Sequence, residues 1–167
     1  MKRIYLLTVI FLLLICTSGC SKSNQKDIDE IYIYHSALGQ IFSEYKIDFT
    51  DESCWKYTTG IYGRYVRRDK SLENEGFTFV SDLDAEKIEQ FLKDAARCGL
   101  TRWESSYINE GVFDGHQWGM IITYADATQS SVSGSNKYPE TWDKMLKAFE
   151  NLTGENVLIY DSTSLRA

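Results

Sequence analysis

The chain is poor in proline and in histidine. Among its 167 residues there is a single proline, Pro139, and there are two histidines, His35 and His116. One proline excludes a proline-rich stalk. The two histidines stand far apart and fit no H-x-x-x-H or H-E-x-x-H frame, so the usual zinc-protease spacing is absent. No G-x-S-x-G elbow and no phosphate-binding loop occurs. Four cysteines are present, and no C-x-x-C redox pair lies among them. No metal ligand set, cofactor or catalytic residue is therefore expected. Positive charge is scarce as well. With 18 Lys+Arg against 24 Asp+Glu the net charge is −6, which speaks against nucleic acid, whose binding rests on neutralising phosphates.

Long hydrophobic runs are also missing. The most apolar stretch, Ile4 to Ile15, is broken only by Tyr5 and Thr8. As a helix it would span about 18 Å, whereas crossing a bilayer takes roughly 20 residues. Lys2 and Arg3 precede it, and small residues follow, the layout of a secretory signal. The run ends in Thr17-Ser18-Gly19-Cys20 and turns polar at once.

That tail resembles the lipobox of bacterial lipoproteins, in which the signal is cut before a cysteine that receives a diacylglyceryl group. The family pattern usually has Leu three residues before the cysteine, and Thr17 stands there in this chain. The resemblance implies lipidation of Cys20, a signal peptide over 1–19 and a location on the outer side of a cell membrane. Ser21 follows the cysteine, so no Asp signals retention in the inner membrane, and an outer-membrane site is allowed in a Gram-negative cell. Two acyl chains suffice for stable anchoring, at about 0.8 kcal/mol per buried CH₂. Residues 21–26 are polar and short, a tether. Residues 27–167 are expected to form a single domain.

Removing 19 of 167 residues leaves 148, enough to bury a real core. Lys+Arg then falls from 18 to 16 against 24 acidic residues, a net charge of −8. Cys16 leaves with the signal, so Cys54 and Cys98 remain to be sorted. In an oxidising compartment they could pair, closing a loop of roughly 45 residues for about 4 kcal/mol on the chain-entropy model. They could equally be two separate buried thiols acting as small hydrophobes.

The element pattern is α+β. Asp27 to Ser36 contains "IYIYH" and reads as a strand, and Gly39-Gln40 as a turn. Ile41 to Thr50 alternates, with Ile41, Ser43, Tyr45, Ile47 and Phe49 on one face. Trp55 to Arg68 is β-prone, with Gly60 and Gly63 inside it, and Gly76 to Val80 is a further strand. Asp84 can cap a helix whose stripe is Ile88, Phe91, Leu92 and Ala95, with Leu83 and Ile88 as a hydrophobic staple and Gly99 as its stop. Trp103 to Phe113 reads as an irregular connection. Gln117 to Ala125 places Trp118, Met120, Ile122 and Tyr124 on one side, and Gln129 to Ser133 pairs back after Asp126-Ala127. Pro139 suits the first turn of a second helix, buried through Trp142, Met145, Leu146, Phe149 and Leu152 and ended by Gly154. Val157 to Tyr160 is a candidate last strand. The expectation is an antiparallel sheet with two amphipathic helices on one face. A strand-strand-helix quasi-repeat would relate the halves ending at Gly99 and Gly154.

The second half carries W-x-x-x-Y (Trp103, Tyr107), "DGHQW" (Asp114 to Trp118), "ITYAD", "GSNKYP" (Gly134 to Pro139) and Trp142. Over roughly Gly76 to Gly154 it resembles a functionally uncharacterised module of secreted and lipid-anchored bacterial proteins with D-G-x-x-W and G-S-N-x-Y-P. The resemblance implies an architecture and a location and assigns no catalytic residue. Physically, Asp114-Gly115 suits a positive-φ turn, Trp118 a filler between sheet and helix, and Asn136 a turn that bonds backbone donors. Tyr138, before a proline, is biased extended. The alternative is that Asp114, His116, Asn136 and Tyr138 converge as a polar rim on a pocket.

One basic patch stands against the acidic background: Arg64, Arg67, Arg68 and Lys70, interleaved with Tyr62 and Tyr65. It is either a solvated strand edge guarded against pairing or a contact for an anionic surface ligand or an envelope protein. The overall expectation is a lipid-anchored, non-enzymatic binding or structural module of the cell envelope. The alternative is a small envelope hydrolase or an enzyme inhibitor with an aromatic patch built from Tyr57, Tyr62 and Tyr65.

Overall fold

The computed structural model describes residues 27–37, 40–57, 77–112 and 115–157. Cys20 with its signal and tether, Arg64, Arg67, Arg68, Tyr62, Tyr65, Asp114 and residues 158–160 lie outside the described residues. In chain order the elements are β1 (Ile28–Ala37), β2 (Gln40–Asp48), β3 (Ser53–Tyr57), β4 (Phe77–Asp82), α1 (Ala85–Cys98), a 3₁₀ turn (Leu100–Arg102), β5 (Ser106–Ile108), β6 (His116–Tyr124), β7 (Gln129–Ser135) and α2 (Trp142–Thr153). They make a mixed α+β arrangement of a seven-stranded sheet, ordered β4-β3-β2-β1-β6-β7-β5, and two helices. Every pairing is antiparallel except β5 with β7.

The central strands show why alternation matters. Ile31 and Ile33 of β1 stand opposite Ile122 and Met120 of β6 and opposite Ile47 and Tyr45 of β2. All six are fully buried. At roughly 1.5–3 kcal/mol per large apolar side chain removed from water, this face dominates the stability of the sheet. The intervening residues, Tyr32, Tyr34 and Lys46, point to the other face and are half-buried.

The alternation expected for β2 holds from Ser43 to Phe49 and fails at Ile41. Ser43 pairs with His35, but Ile41 pairs with Ser36, so β2 carries one extra residue there. A bulge of this kind resets the period of two. Ile41 falls out of phase with Tyr45 and Ile47 and is exposed.

The first helix forms as its sequence dictates. Asp84 Oδ1 accepts from the backbone N–H of Glu86 (3.0 Å) and of Lys87 (3.1 Å), satisfying two donors that the first turn leaves open. Leu83 is buried and Ile88 packs against the same core. Phe91, Ala95 and Cys98 are the buried positions of α1, and Gly99 closes it at φ 70°. Met145, Ala148, Phe149 and Leu152 are buried on α2. The Phe91 and Phe149 rings lie 5.0 Å apart, so the two helices meet through these side chains.

Two expectations need correction. The connection after Trp103 is not irregular throughout: Ser106–Ile108 pairs with Ser133–Ser135 as a parallel edge strand. Pro139 does not lie in the first turn of α2. The helix begins at Trp142, whose N–H donates to the Pro139 carbonyl (3.0 Å), so the proline shapes the approach to the helix. Thr141 at the N-cap makes no capping bond. Its hydroxyl donates to the Cys98 carbonyl (2.7 Å) and accepts from Trp103 Nε1 (3.2 Å), tying the start of α2 to the end of α1.

Candidate functional site

His116 opens β6 and Asn136 follows β7, so the β6–β7 ladder brings them together. The Asn136 N–H donates to the His116 carbonyl (2.9 Å), and Asn136 Oδ1 accepts from the His116 N–H (2.9 Å). The side-chain amide thus extends the ladder by one bond. Asn136 holds φ 52° to do this, a conformation asparagine tolerates better than most residues. The Asp114-Gly115 turn expected from the sequence lies partly outside the described residues. At Gly115 itself a Cβ would lie 2.1 Å from Asn136 Oδ1, so the close approach of that amide requires a residue without a side chain.

Tyr138 belongs to a different environment. Its ring stacks with Trp118 at 6.0 Å and 14° and lies 5.1 Å from Trp142. Trp118 is fully buried, contacts the Trp142 ring at 4.2 Å and donates Nε1–H to the Lys137 carbonyl (3.0 Å). Trp103 and Tyr107 complete the group, with rings 6.4 and 6.0 Å from Trp118. In this arrangement Trp118 and Tyr138 pack into the aromatic group and the Asn136 amide closes the strand end.

The residue that sequence reasoning left without a role is His35. It shares a face with Ile31 and Ile33 by alternation, and a histidine in apolar register was the available signal. It is 2% exposed. His35 Nε2 and His116 Nδ1 are 3.2 Å apart. The ring centroids are 5.2 Å apart and the planes differ by 10°. Centroids so much farther apart than the contacting nitrogens place the rings edge to edge, in nearly parallel planes. Burial, with His116 beside it, pulls His35 down to about 4. Burial also lowers His116. Two neutral imidazoles can share one N–H···N bond, whereas two cations at this separation would repel. Directly opposite His35 in the ladder stands Ser43, whose buried Oγ has no hydrogen-bond partner among the described residues.

A second polar group lies on the opposite face of the sheet. Tyr32 OH donates to Glu44 Oε1 (2.5 Å), and Glu44 is 5% exposed. Nearby, Lys46 Nζ lies 3.3 Å from Glu30 and 3.9 Å from Asp48. Along the same face, towards the β4 edge, Trp55 meets Phe79 edge-on at 5.4 Å and Tyr57 meets Phe77 at 5.4 Å. Phe79 is 46% exposed. Tyr57 is thus part of an aromatic row, in company not foreseen from the sequence.

Cys54 and Cys98 are both free and buried, so the disulfide considered from the sequence is not formed in this structure. Cys54 pairs with Ile47 in the sheet, while Cys98 ends α1. Burial pushes the Cys54 thiol up to about 12 and raises Cys98 as well, leaving both protonated and poorly nucleophilic. Among the described residues no helix is long and apolar enough to cross a membrane, and no group of three or more His, Cys, Asp or Glu side chains could hold a metal ion. Compared with family models, curated proteins and solved structures, the chain finds no match to any of them.

Proposed function

We propose that this chain is a lipid-anchored, non-enzymatic binding module of the cell envelope. It is held at the membrane through Cys20 and presents one face of its sheet to a protein partner. The observation that carries the binding reading is the aromatic row Trp55, Tyr57, Phe77 and Phe79 on the face away from the buried isoleucines, with Phe79 46% exposed. Aromatic residues are enriched where proteins meet, because they bury much area at little conformational cost. The charged cluster of Lys46, Glu30 and Asp48 on the same face supplies a polar rim.

The motif residues support the same reading. Trp118 and Tyr138 are spent on packing and Asn136 on the ladder. His116 Nδ1 lies 3.2 Å from His35 Nε2. We also read the domain as a strand-strand-helix quasi-repeat, β3-β4-α1 and β6-β7-α2, with both helices on the face of Ile31 and Ile33. The Phe49–Phe91 and Trp118–Trp142 ring contacts support that arrangement.

The test is site-specific crosslinking in intact cells. A lipidated chain with a photoreactive residue in place of Phe79 should give a discrete protein adduct, and one at exposed Glu89 on α1 should not. Equal adducts at both positions, or none at Phe79, would overturn the reading.

A further inference from the structure

We propose that His35 and His116 form a two-imidazole site for a divalent transition-metal ion of the Zn(II), Cu(II) or Ni(II) class, with Ser43 supporting His35 from across the ladder. The first ground is distance. Two imidazole nitrogens bound at about 2.0–2.1 Å to one tetrahedral ion lie about 3.3 Å from each other. His35 Nε2 and His116 Nδ1 already lie 3.2 Å apart. The rings meet edge to edge, so small side-chain rotations would turn both lone pairs onto a common point without moving a strand.

The second ground is Ser43. In the metal-free pair one proton lies between the two nitrogens. To bind an ion, His35 must carry its single proton on Nδ1 and His116 its own on Nε2. Each ring stays neutral and keeps one proton, and the ion takes the place of the shared one. A buried Nδ1–H then needs an acceptor. The Ser43 side chain stands directly opposite His35, at a typical cross-strand Cβ separation of about 4.5–5.5 Å, and its Oγ is otherwise unused among the described residues. A second-sphere hydrogen bond of this type fixes the tautomer and orientation of a metal-bound histidine.

The third ground is access and selectivity. His35 is almost fully buried two residues before the end of β1, while half-buried His116 at the start of β6 gives an approach from solvent. Two imidazoles suit borderline ions and not Mg²⁺ or Ca²⁺, which take oxygen ligands. With two protein ligands, the remaining positions go to water or a small exchangeable ligand.

The experiment uses the untagged full chain in detergent, stripped of metal. Titration with zinc chloride by calorimetry should show one ion bound per chain. Copper(II) should give an electron paramagnetic resonance spectrum with coupling to two imidazole nitrogens, and zinc should shift the ¹⁵N resonances of His35 Nε2 and His116 Nδ1. The His116→Gln variant should lose binding while keeping its circular dichroism spectrum. Ser43→Ala should keep the stoichiometry and weaken affinity by about 10-fold. No uptake by the wild-type chain, uptake unchanged in His116→Gln, or a copper spectrum without nitrogen coupling would each overturn the proposal.

Discussion

Gly134 and Trp118 stand opposite each other in the β6–β7 ladder with no room for a methyl group between them. A Cβ at Gly134 would lie 2.2 Å from Trp118 Nε1 and 2.6 Å from the Lys137 carbonyl oxygen. That carbonyl is the acceptor for the indole N–H. Gly134→Ala therefore pushes on a fully buried ring and on its hydrogen bond together. The expected loss is about 1–3 kcal/mol, read as a lower urea midpoint with an unchanged slope. A variant as stable as wild type would show that the Trp118 cage has slack.

At α1, Asp84→Ala should cost about 1 kcal/mol, because two backbone donors lose their acceptor. Restoring an acceptor with Asp84→Ser should recover most of it. Chemical denaturation of the three proteins checks this. Equal stability of the alanine and aspartate forms would mean that water replaces the cap without loss.

The cysteines predict both a labelling pattern and a pH dependence. In native protein Cys54 and Cys98 should resist a thiol reagent at neutral pH, and both should react once unfolded. The sign for Cys54 follows from its raised folded value of about 12 against 9.0 for an unperturbed thiol. As pH rises past 9 the unfolded chain loses its proton first. Stability from this group is intact below pH 9 and falls between 9 and 12, by up to about 1.4 kcal/mol per pH unit. Rapid native labelling, or a mass two hydrogens short in the untreated protein, would contradict the free, buried state.

Much of the fold was legible because local chemistry decided it. Asp84, Gly99 and Gly154 punctuate the helices as their side chains, or lack of them, require. The Trp118-Met120-Ile122-Tyr124 alternation marks a buried strand face, and all four are buried. What escaped was set by distant partners. The bulge that exposes Ile41 depends on pairing with β1. The strand Ser106–Ile108 exists through β7, since three residues carry too little pattern to announce it. At the candidate site, the amide of Asn136 was readable as a turn former, but the meeting of His35 with His116 comes from the β1–β6 pairing. Glu44 falls on the face opposite Tyr45 and Ile47, yet it too is buried and accepts a bond from Tyr32, because its cover comes from a neighbouring strand.

The account stands most directly on the proposed modification of Cys20, because a membrane anchor there would give the proposed binding face its setting. The measurement is intact mass and N-terminal analysis of protein purified from the membrane fraction of the native host, beside a Cys20→Ala variant. The account predicts a chain that begins at Cys20 and carries acyl groups, with the alanine variant released from the membrane. A native chain that begins elsewhere, carries no fatty acid, or stays in the membrane as the alanine variant would contradict it.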